Sequence, residues 1–283
     1  MIYSDAELWL GFVLLAVWAA SAVLAGCPAG RRWVAGRGWR PAPALVGTGL
    51  ASGLFTAQAA VVDSVADRGP LARLDGPVLD SFVAVRAGPA TTVMEKASAL
   101  GGSAGMWTVA VVVAVGLWWA GRRREAISVL IASAGAELLV SGFKHLYGRL
   151  RPPQSVQLTP ESSYSLPSGH SLVSIVVLGI LAAVSWRLTR SIVLRVSAAV
   201  VATGLVALIG VSRLYLGVHW LTDVLTGWLL GAAWLALCVT GLGLHPGTGT
   251  PQQAPGRPPQ ASAPSARARS CPHPTTTGPD RVR

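Results

Sequence analysis

Apolar residues occur along the chain in seven runs of about 18 to 22 residues, the length at which an α-helix crosses the ~30 Å hydrocarbon core of a bilayer. The runs lie near residues 8–25, 43–62, 104–120, 126–146, 171–186, 196–215 and 221–242. This pattern predicts an all-α fold: a polytopic membrane helix bundle with about seven transmembrane helices.

Composition supports a membrane protein, because 52% of the 283 residues are hydrophobic and only 12% are charged. These values exclude an ordinary soluble domain. The 23 Lys and Arg residues outnumber the 12 Asp and Glu residues, which raises the question of a nucleic-acid partner. The positions of the basic residues argue against one, because they follow alternate apolar runs as the positive-inside rule describes.

The rule also predicts the topology. The arginines that follow the first, third and fifth runs or lie in the tail are Arg31, Arg32, Arg37, Arg40, Arg122, Arg123, Arg124, Arg187, Arg190, Arg195, Arg257, Arg267, Arg269, Arg281 and Arg283. These segments are expected to be cytoplasmic, which places the N-terminus outside and the C-terminus inside.

Three parts of the chain are expected. Residues 1–42 form an extra N-terminal helix with a basic cytoplasmic loop, 43–243 form the main membrane domain, and 244–283 form a disordered cytoplasmic tail rich in Pro, Gly, Ala and Ser. The outer loop 63–102 is expected to hold surface-lying helices. "LAGC" at 24–27 is an alternative lipoprotein cleavage site, but a basic n-region is missing and cleavage would leave the basic loop outside.

Three polar clusters lie at predicted helix ends on the outer side. They are "KHLYGRLRPP" (144–153), "SLPSGHS" (165–171) and "SRLYLGVHWLTD" (212–223). Each cluster alone is a modest signal, but the distribution of arginines independently places all three on one face of the membrane.

In this order the clusters resemble the three-part signature of the phosphatidic acid phosphatase type 2 superfamily: K-x6-R-P, P-S-G-H and S-R-x5-H-x3-D. The matching positions are Lys144, Arg151, Pro152, Pro167, Ser168, Gly169, His170, Ser212, Arg213, His219 and Asp223. The resemblance covers about residues 102–241, with the signature region at 144–223. It implies a six-helix phosphatase core within 43–243.

The residue types fit phosphoryl transfer. His219 and Asp223 are four residues apart, so on a helix they share a face, and the carboxylate can hold one ring nitrogen while the other acts as nucleophile. His170 is then suited to protonate the leaving oxygen. The resemblance adds that His219 forms a phosphohistidine and that His170 afterwards activates water.

The phosphate needs positive charge and amide donors. Lys144, Arg151 and Arg213 supply the charge, and Ser168 and Gly169 are expected to offer free backbone N–H groups at the start of a helix. The resemblance implies no metal or other cofactor, and the outer loops beside the clusters hold only Glu161 besides Asp223, too few carboxylates for a Mg²⁺ site.

The sequence therefore predicts a multi-pass enzyme of the plasma membrane that hydrolyses a lipid phosphate or diphosphate at the extracytoplasmic face. An isoprenyl diphosphate of the undecaprenyl type is the preferred substrate, because an outward-facing site suits recycling of a lipid carrier. The alternatives are phosphatidic acid or phosphatidylglycerol phosphate as substrate, transfer to an acceptor other than water, a transporter, and a vanadium haloperoxidase. One-sided charges disfavour the transporter, and seven spans disfavour the largely soluble haloperoxidases.

Overall fold

The computed structural model describes residues 41–244, and every regular element in this part of the chain is helical. The predicted helix at 8–25, the basic loop after it and the tail beyond Leu244 lie outside the described residues. The helices are α1 (Pro41–Ala66), α2 (Asp75–Ala84), α3 (Gly88–Gly101), α4 (Ser103–Trp119), α5 (Arg123–Tyr147), α6 (Gly169–Leu188), α7 (Ile192–Tyr215) and α8 (Leu221–Leu244), with short 3₁₀ turns at Ala72–Leu74 and Gln154–Val156. The all-α prediction is confirmed.

Five of these helices, α1, α5, α6, α7 and α8, are long and apolar enough to cross a bilayer. Each coincides with a predicted apolar run. The run at 104–120 forms α4, whose 17 residues extend about 26 Å. Helix α4 reaches the length of a span only together with α3, from which it is bent by 55°. The described part of the chain is thus a multi-pass bundle with five spans, or six if the bent pair counts as one.

The core of the bundle lies between α4, α5, α6 and α8, which present small and branched side chains to one another. Val129, Val176 and Leu230 are typical members and are almost fully buried. Large apolar side chains such as Leu138 and Trp119 point outward instead, with exposures of 74% and 84%. An apolar exterior around an apolar core is the pattern of helices packed within lipid.

Turns at one end of the bundle redirect the chain. Helix α5 is capped by Gly148, which has φ 58° and donates its N–H to the Lys144 carbonyl at 3.1 Å. Helix α7 is followed by Gly217, with φ 71°. A side chain is strained in this left-handed region, whereas glycine adopts it readily. Both turns bring the next residues back across the end of the bundle.

The segment 63–102 packs against one end of the helix bundle. Helix α1 continues to Ala66, and α2 and α3 follow. Phe82 and Met94 from this segment pack against Tyr215 and Val218, in the connection between α7 and α8. Their orientation relative to a membrane surface stays a prediction, but the contacts make the segment a part of this end of the bundle.

Arg86 fixes the segment to two loops at once. Its Nε donates to the Tyr215 carbonyl at 3.0 Å, and its Nη2 donates to the Val156 carbonyl at 2.8 Å. Burial lowers the pKa of Arg86, but an arginine stays charged at physiological pH. This side chain therefore joins the outer segment to the loop after α5 and to the connection after α7.

Candidate active site

The structure brings the three polar clusters together at one end of the bundle. The first leaves the C-terminal end of α5, the second leads into the start of α6, and the third joins the end of α7 to the start of α8. Hydrogen bonds connect them: Arg151 Nη1 donates to the Val218 carbonyl at 2.7 Å, and the Ser165 hydroxyl donates to Asp223 Oδ2. We call this end of the bundle, built by residues 144–170 and 212–223, the motif end.

His219 and Asp223 are in contact, with Nδ1 and Oδ2 3.3 Å apart. The expectation that they share one helix face is wrong, because His219 lies in the bend before α8, which begins at Leu221. The contact forms because the Asp223 side chain folds back over the start of the helix. There its Oδ2 also accepts the backbone N–H of Trp220 at 2.9 Å, as carboxylates in a first helical turn commonly do.

The hydrogen bonds define the tautomer of His219. Arg151 Nη1 lies 3.0 Å from His219 Nε2. Because a guanidinium can only donate, Nε2 must present its lone pair and the ring proton must be on Nδ1, facing Asp223. His219 is therefore held as a neutral imidazole whose unprotonated nitrogen faces a cation.

Burial favours the same neutral form. The His219 ring is 1% exposed, and this burial lowers its pKa to about 4. The contact with Asp223 raises the pKa in part, whereas the charges of Arg151 and Arg213 lower it further. At neutral pH the ring is therefore uncharged, and its Nε2 lone pair accepts from Arg151.

Glu161 connects two of the predicted phosphate-binding arginines. Its Oε2 lies 2.8 Å from Arg151 Nη2, and its Oε1 accepts from Arg213 Nη2. Burial raises the pKa of Glu161, but Arg213 and Arg151 outweigh this effect and lower the pKa to about 2. Two guanidinium groups thus converge on one anion at the motif end.

Arg213 is held from the side of α3. Its side chain is 2% exposed, and Nη1 donates to the Ser98 hydroxyl. Its Nε is buried and has no hydrogen-bond partner among the described residues. A buried unpaired donor is unfavourable unless another acceptor reaches it. Arg213 therefore retains a donor for a further oxygen.

Lys144 lies beside Arg151. Its Nζ donates to the Ser163 hydroxyl at 3.0 Å, and Arg151 Nη2 donates to the same hydroxyl at 3.0 Å. Arg151 Nε also donates to the Ser163 carbonyl at 2.7 Å. The loop before α6 therefore holds the two cations side by side, and the three predicted cations form one cluster.

The start of α6 differs from expectation at Ser168. Its backbone N–H is not free, because it donates to the Asp223 carbonyl at 3.0 Å. Its hydroxyl caps the helix by accepting from Ser171 N–H at 3.5 Å. Within the described residues no acceptor is found for the N–H groups of Gly169 and His170, so these two amides, rather than that of Ser168, are placed to bind an anion.

A close approach of two helices creates the Ser168 contact. At Gly227, in the second turn of α8, a β-carbon would lie 2.7 Å from the Ser168 carbonyl oxygen. Only glycine leaves room for α8 to lie this close to the start of α6. This spacing brings Asp223 to the loop that carries the P-S-G-H motif.

His170 lies in the first turn of α6 and points toward the bend between α3 and α4. Its Nε2 is 3.4 Å from the position that a β-carbon would have at Gly102. The ring is half-buried, and it interacts electrostatically with His219 and Arg213. The structure thus places both predicted catalytic histidines at the motif end, on different elements.

Four further residues complete the network, and the sequence pattern identified none of them as site residues. Ser165 bonds Asp223, Glu161 bridges two arginines, and Arg149 bridges Asp223 and Asp75. Arg149 is not a position of the three-part signature. Its position within the first cluster was the available signal, whereas Asp75 lies in a segment without a recognisable motif.

The PAP2 superfamily is the family whose sequence model matches the chain, over residues 125–244, a range that includes all three clusters. Phosphatidylglycerophosphatase B of Bacillus subtilis (strain 168) is 30% identical over 158 residues, which are 56% of this chain and 77% of that protein. An undecaprenyl-diphosphatase of Sulfolobus acidocaldarius is 33% identical over 121 residues, 40% of this chain and 53% of that protein.

A solved structure gives the same result for the fold. The crystal structure of a transmembrane PAP2-type phosphatidylglycerolphosphate phosphatase from Bacillus subtilis superposes with a TM-score of 0.60 at 26% identity. The match covers 68% of this chain and 95% of that chain. The fold, the converging clusters and these relatives lead to one conclusion. The chain belongs to the PAP2 superfamily of membrane lipid phosphatases.

Proposed function

We propose that the protein hydrolyses a phosphoryl group from a membrane lipid through a phosphohistidine intermediate on His219. The observation that carries this proposal is the state of His219. Its ring is buried and neutral, Asp223 holds Nδ1, and the Nε2 lone pair faces the arginine cluster. This is the arrangement of an oriented nucleophile beside an anion-binding site.

In the first step, the Nε2 lone pair attacks phosphorus, the N–P bond forms and the bond from phosphorus to the leaving oxygen breaks. The leaving oxygen takes the bonding electrons and a proton from His170, which must carry a proton on both ring nitrogens for this step. The Nδ1–H of His219 stays on the ring, and Asp223 stabilises the positive charge that develops there. The lipid alcohol or monophosphate then leaves.

In the second step, His170 is neutral and takes a proton from a water molecule as the water oxygen attacks phosphorus. The O–P bond forms, the N–P bond breaks, and its electrons return to Nε2. Inorganic phosphate leaves and His170 is again protonated. This cycle needs no metal ion. The engagement of Asp223 and Glu161 by arginine side chains supports that part of the proposal.

The cations bind the phosphate and stabilise the transition state. Lys144, Arg151 and Arg213 converge where Glu161 now binds two of them, so a phosphate there would meet the same donors. The amides of Gly169 and His170 at the start of α6 are further candidate donors. Because Arg151 also donates to His219 Nε2, nucleophilic attack requires that this donor shift to a phosphate oxygen.

The proposed substrate is an isoprenyl diphosphate of the undecaprenyl type. The distribution of arginines supports an extracytoplasmic motif end, where a lipid carrier diphosphate would be released by envelope synthesis. The undecaprenyl-diphosphatase relative supports the same class.

Phosphatidylglycerol phosphate is the second candidate. A specific observation favours it: the relative aligned over 77% of its length and the superposed crystal structure are both named for this activity. Both candidates present a terminal phosphate on a lipid, so the chemistry at the site is the same. The preference between them depends on how the protein binds the lipid tail.

The experiment that tests the function is phosphate release by the detergent-solubilised protein from undecaprenyl diphosphate, phosphatidylglycerol phosphate and phosphatidic acid, with EDTA present. His219→Ala is measured in parallel. His145→Ala is the matched control, since His145 is exposed, hydrogen-bonds the Ser141 carbonyl and contacts the Tyr164 ring edge-on. Release that persists in EDTA and in H145A but not in H219A is expected. Full activity of folded H219A would contradict the proposal.

A further inference from the structure

Behind Asp223 lies an ion-pair chain that the family motifs do not include. Arg149 Nη1 is 2.5 Å from Asp223 Oδ1, and Arg149 Nη2 is 2.7 Å from Asp75 Oδ2. Asp75 is the first residue of α2, in the outer segment. The guanidinium therefore bridges two carboxylates that come from distant parts of the chain.

Thr222 closes this network. Its backbone N–H donates to Asp75 Oδ1 at 2.9 Å and its hydroxyl donates to Asp75 Oδ2 at 2.7 Å. Arg149 Nη1 also donates to the Thr222 hydroxyl at 2.7 Å. Asp75 and Arg149 thus hold two successive residues in the first turn of α8, Thr222 and Asp223.

The burial of these groups makes the geometry specific. Asp75 and Asp223 side chains are 5% and 0% exposed, and that of Arg149 is 17% exposed. A buried carboxylate without a partner is strongly unfavourable, so each must remain paired. The planar guanidinium donates to both carboxylates at once. It binds Oδ1 of Asp223, whereas Oδ2 contacts His219, the Ser165 hydroxyl and the Trp220 N–H.

We propose that Asp75 and Arg149 are positioning residues for phosphoryl transfer, which hold the first turn of α8 and orient Asp223 toward His219. This inference rests on the proposed function, because it takes His219 as the nucleophile. Neither residue touches the arginine cluster that would bind phosphate. Their effect should therefore appear in the chemical step and in its pH dependence rather than in phosphate affinity.

The charges around His219 determine the direction of the pH effect. The charged or titratable groups that interact with His219 or Asp223 are Lys144 from α5, Arg149, Arg151 and Glu161 from the loop after α5, His170 from α6 and Arg213 from α7. Asp75 from α2 acts on them through its ion pair with Arg149. Removing the positive charge of Arg149 favours the protonated imidazole, so the acid limb of kcat/KM should move to higher pH. Removing the negative charge of Asp75 should not move it upward.

The test is steady-state kinetics against pH for Arg149→Gln, Arg149→Lys and Asp75→Asn in the full-length, detergent-solubilised enzyme, with the inhibition constant of inorganic phosphate measured for each. Arg122→Gln is the control, because Arg122 is an exposed arginine before α5. We expect R149Q to lower kcat by about 100-fold, the order associated with a small misplacement of catalytic groups. The phosphate inhibition constant should stay within about threefold, since its ligands are unchanged.

Arg149→Lys separates charge from geometry. It should lower kcat by about tenfold, because an ammonium cannot bridge both carboxylates as the fork does, but leave the acid limb in place. Wild-type kcat and pH profile in R149Q would overturn the inference. So would an equal loss of kcat and phosphate affinity in both Arg149 variants, which would indicate a purely structural role. If instead H219A itself retains activity, the proposed function fails. That result differs from the two outcomes for the Arg149 variants, so failure of the function and failure of this inference can be told apart.

Discussion

Asp223 Oδ2 lies 3.3 Å from His219 Nδ1 although the two residues do not share a helix. The carboxylate reaches the ring by folding over the start of α8. Together with the Arg151 donor at Nε2, this contact places the ring proton on Nδ1. The proposed attack on phosphorus uses Nε2, which keeps its lone pair. Asp223→Asn should therefore lower kcat by about 10³- to 10⁴-fold, the order seen when a tautomer-fixing carboxylate is replaced by an amide.

The measurement is kcat and KM for the hydrolysed lipid in D223N, with Asp80→Asn as the control. Asp80 is an exposed aspartate in α2. D223N should change KM much less than kcat, because the phosphate ligands remain. A D223N enzyme within tenfold of wild type in kcat would show that Asp223 does not orient the nucleophile.

Arg213 should tolerate substitution by lysine poorly, although lysine keeps the positive charge. Its Nη1 and Nη2 donate to Ser98 and Glu161, and an ammonium cannot reproduce this geometry while keeping a donor for phosphate. R213K should lower kcat/KM by about 100-fold, as loss of a transition-state donor does. Arg122→Lys at an exposed position should be neutral, and equal kinetics of the two variants would exclude a special role for Arg213.

Acid should destabilise the protein through two groups. The pKa of His219 is lowered to about 4 in the folded state from an ordinary value of 6.5, so protons bind the unfolded chain first as pH falls. The stability that the neutral ring contributes is complete above pH 6.5 and is lost between about 6.5 and 4. Glu161, lowered to about 2 from 4.5, adds a second loss between about pH 4.5 and 2.

A titration of ¹⁵N-histidine-labelled protein, with His219 assigned by its disappearance in His219→Gln, measures the first value directly. The His219 signal should remain that of a neutral ring at pH 5.5, with the proton on Nδ1. A midpoint of 6.5 or above would contradict the neutral, buried nucleophile.

Gly227 should be required for the spacing of α6 and α8. A β-carbon there would meet the Ser168 carbonyl oxygen at 2.7 Å and Ser171 Cβ at 3.0 Å, and a backbone atom cannot move aside. Gly227→Ala should therefore lower stability by about 1–3 kcal/mol and reduce kcat by displacing Asp223. Thermal unfolding and kcat of G227A should be compared with those of Gly204→Ala. A β-carbon at Gly204 would meet no atom of a neighbouring element within 4 Å. Equal behaviour of the two variants would show that the close approach is not required.

The apolar runs of the sequence predicted the positions of the long helices in the described region. The runs at 126–146 and 171–186 correspond to α5 (Arg123–Tyr147) and α6 (Gly169–Leu188), because the hydrophobic length needed to span lipid restricts where such helices begin and end. The ordered polar clusters likewise indicated which residues meet, because the charge pattern assigned all three clusters to the same side of the membrane.

The supporting network could not be predicted in the same way. Asp75 and Ser98 contact the motif end only through tertiary packing of α2 and α3, and the local sequence carries no periodic signal for such a contact. The amide of Ser168 was expected to be free because it lies at a helix start, but the neighbouring helix supplies its acceptor. Spacing along the chain identifies candidate chemistry, whereas the partners of each polar group depend on which elements pack together.

The central claim is that His219 becomes phosphorylated, and a single-turnover experiment tests it most directly. Enzyme in excess is mixed with lipid carrying a ³²P-labelled terminal phosphate, quenched in alkali at successive times and digested for peptide mapping. A phosphohistidine on His219 would give a transient label that is stable in alkali, labile in acid and located on the peptide containing His219. Full release of labelled phosphate with no label on that peptide at any time, or with the label on another residue, would contradict it.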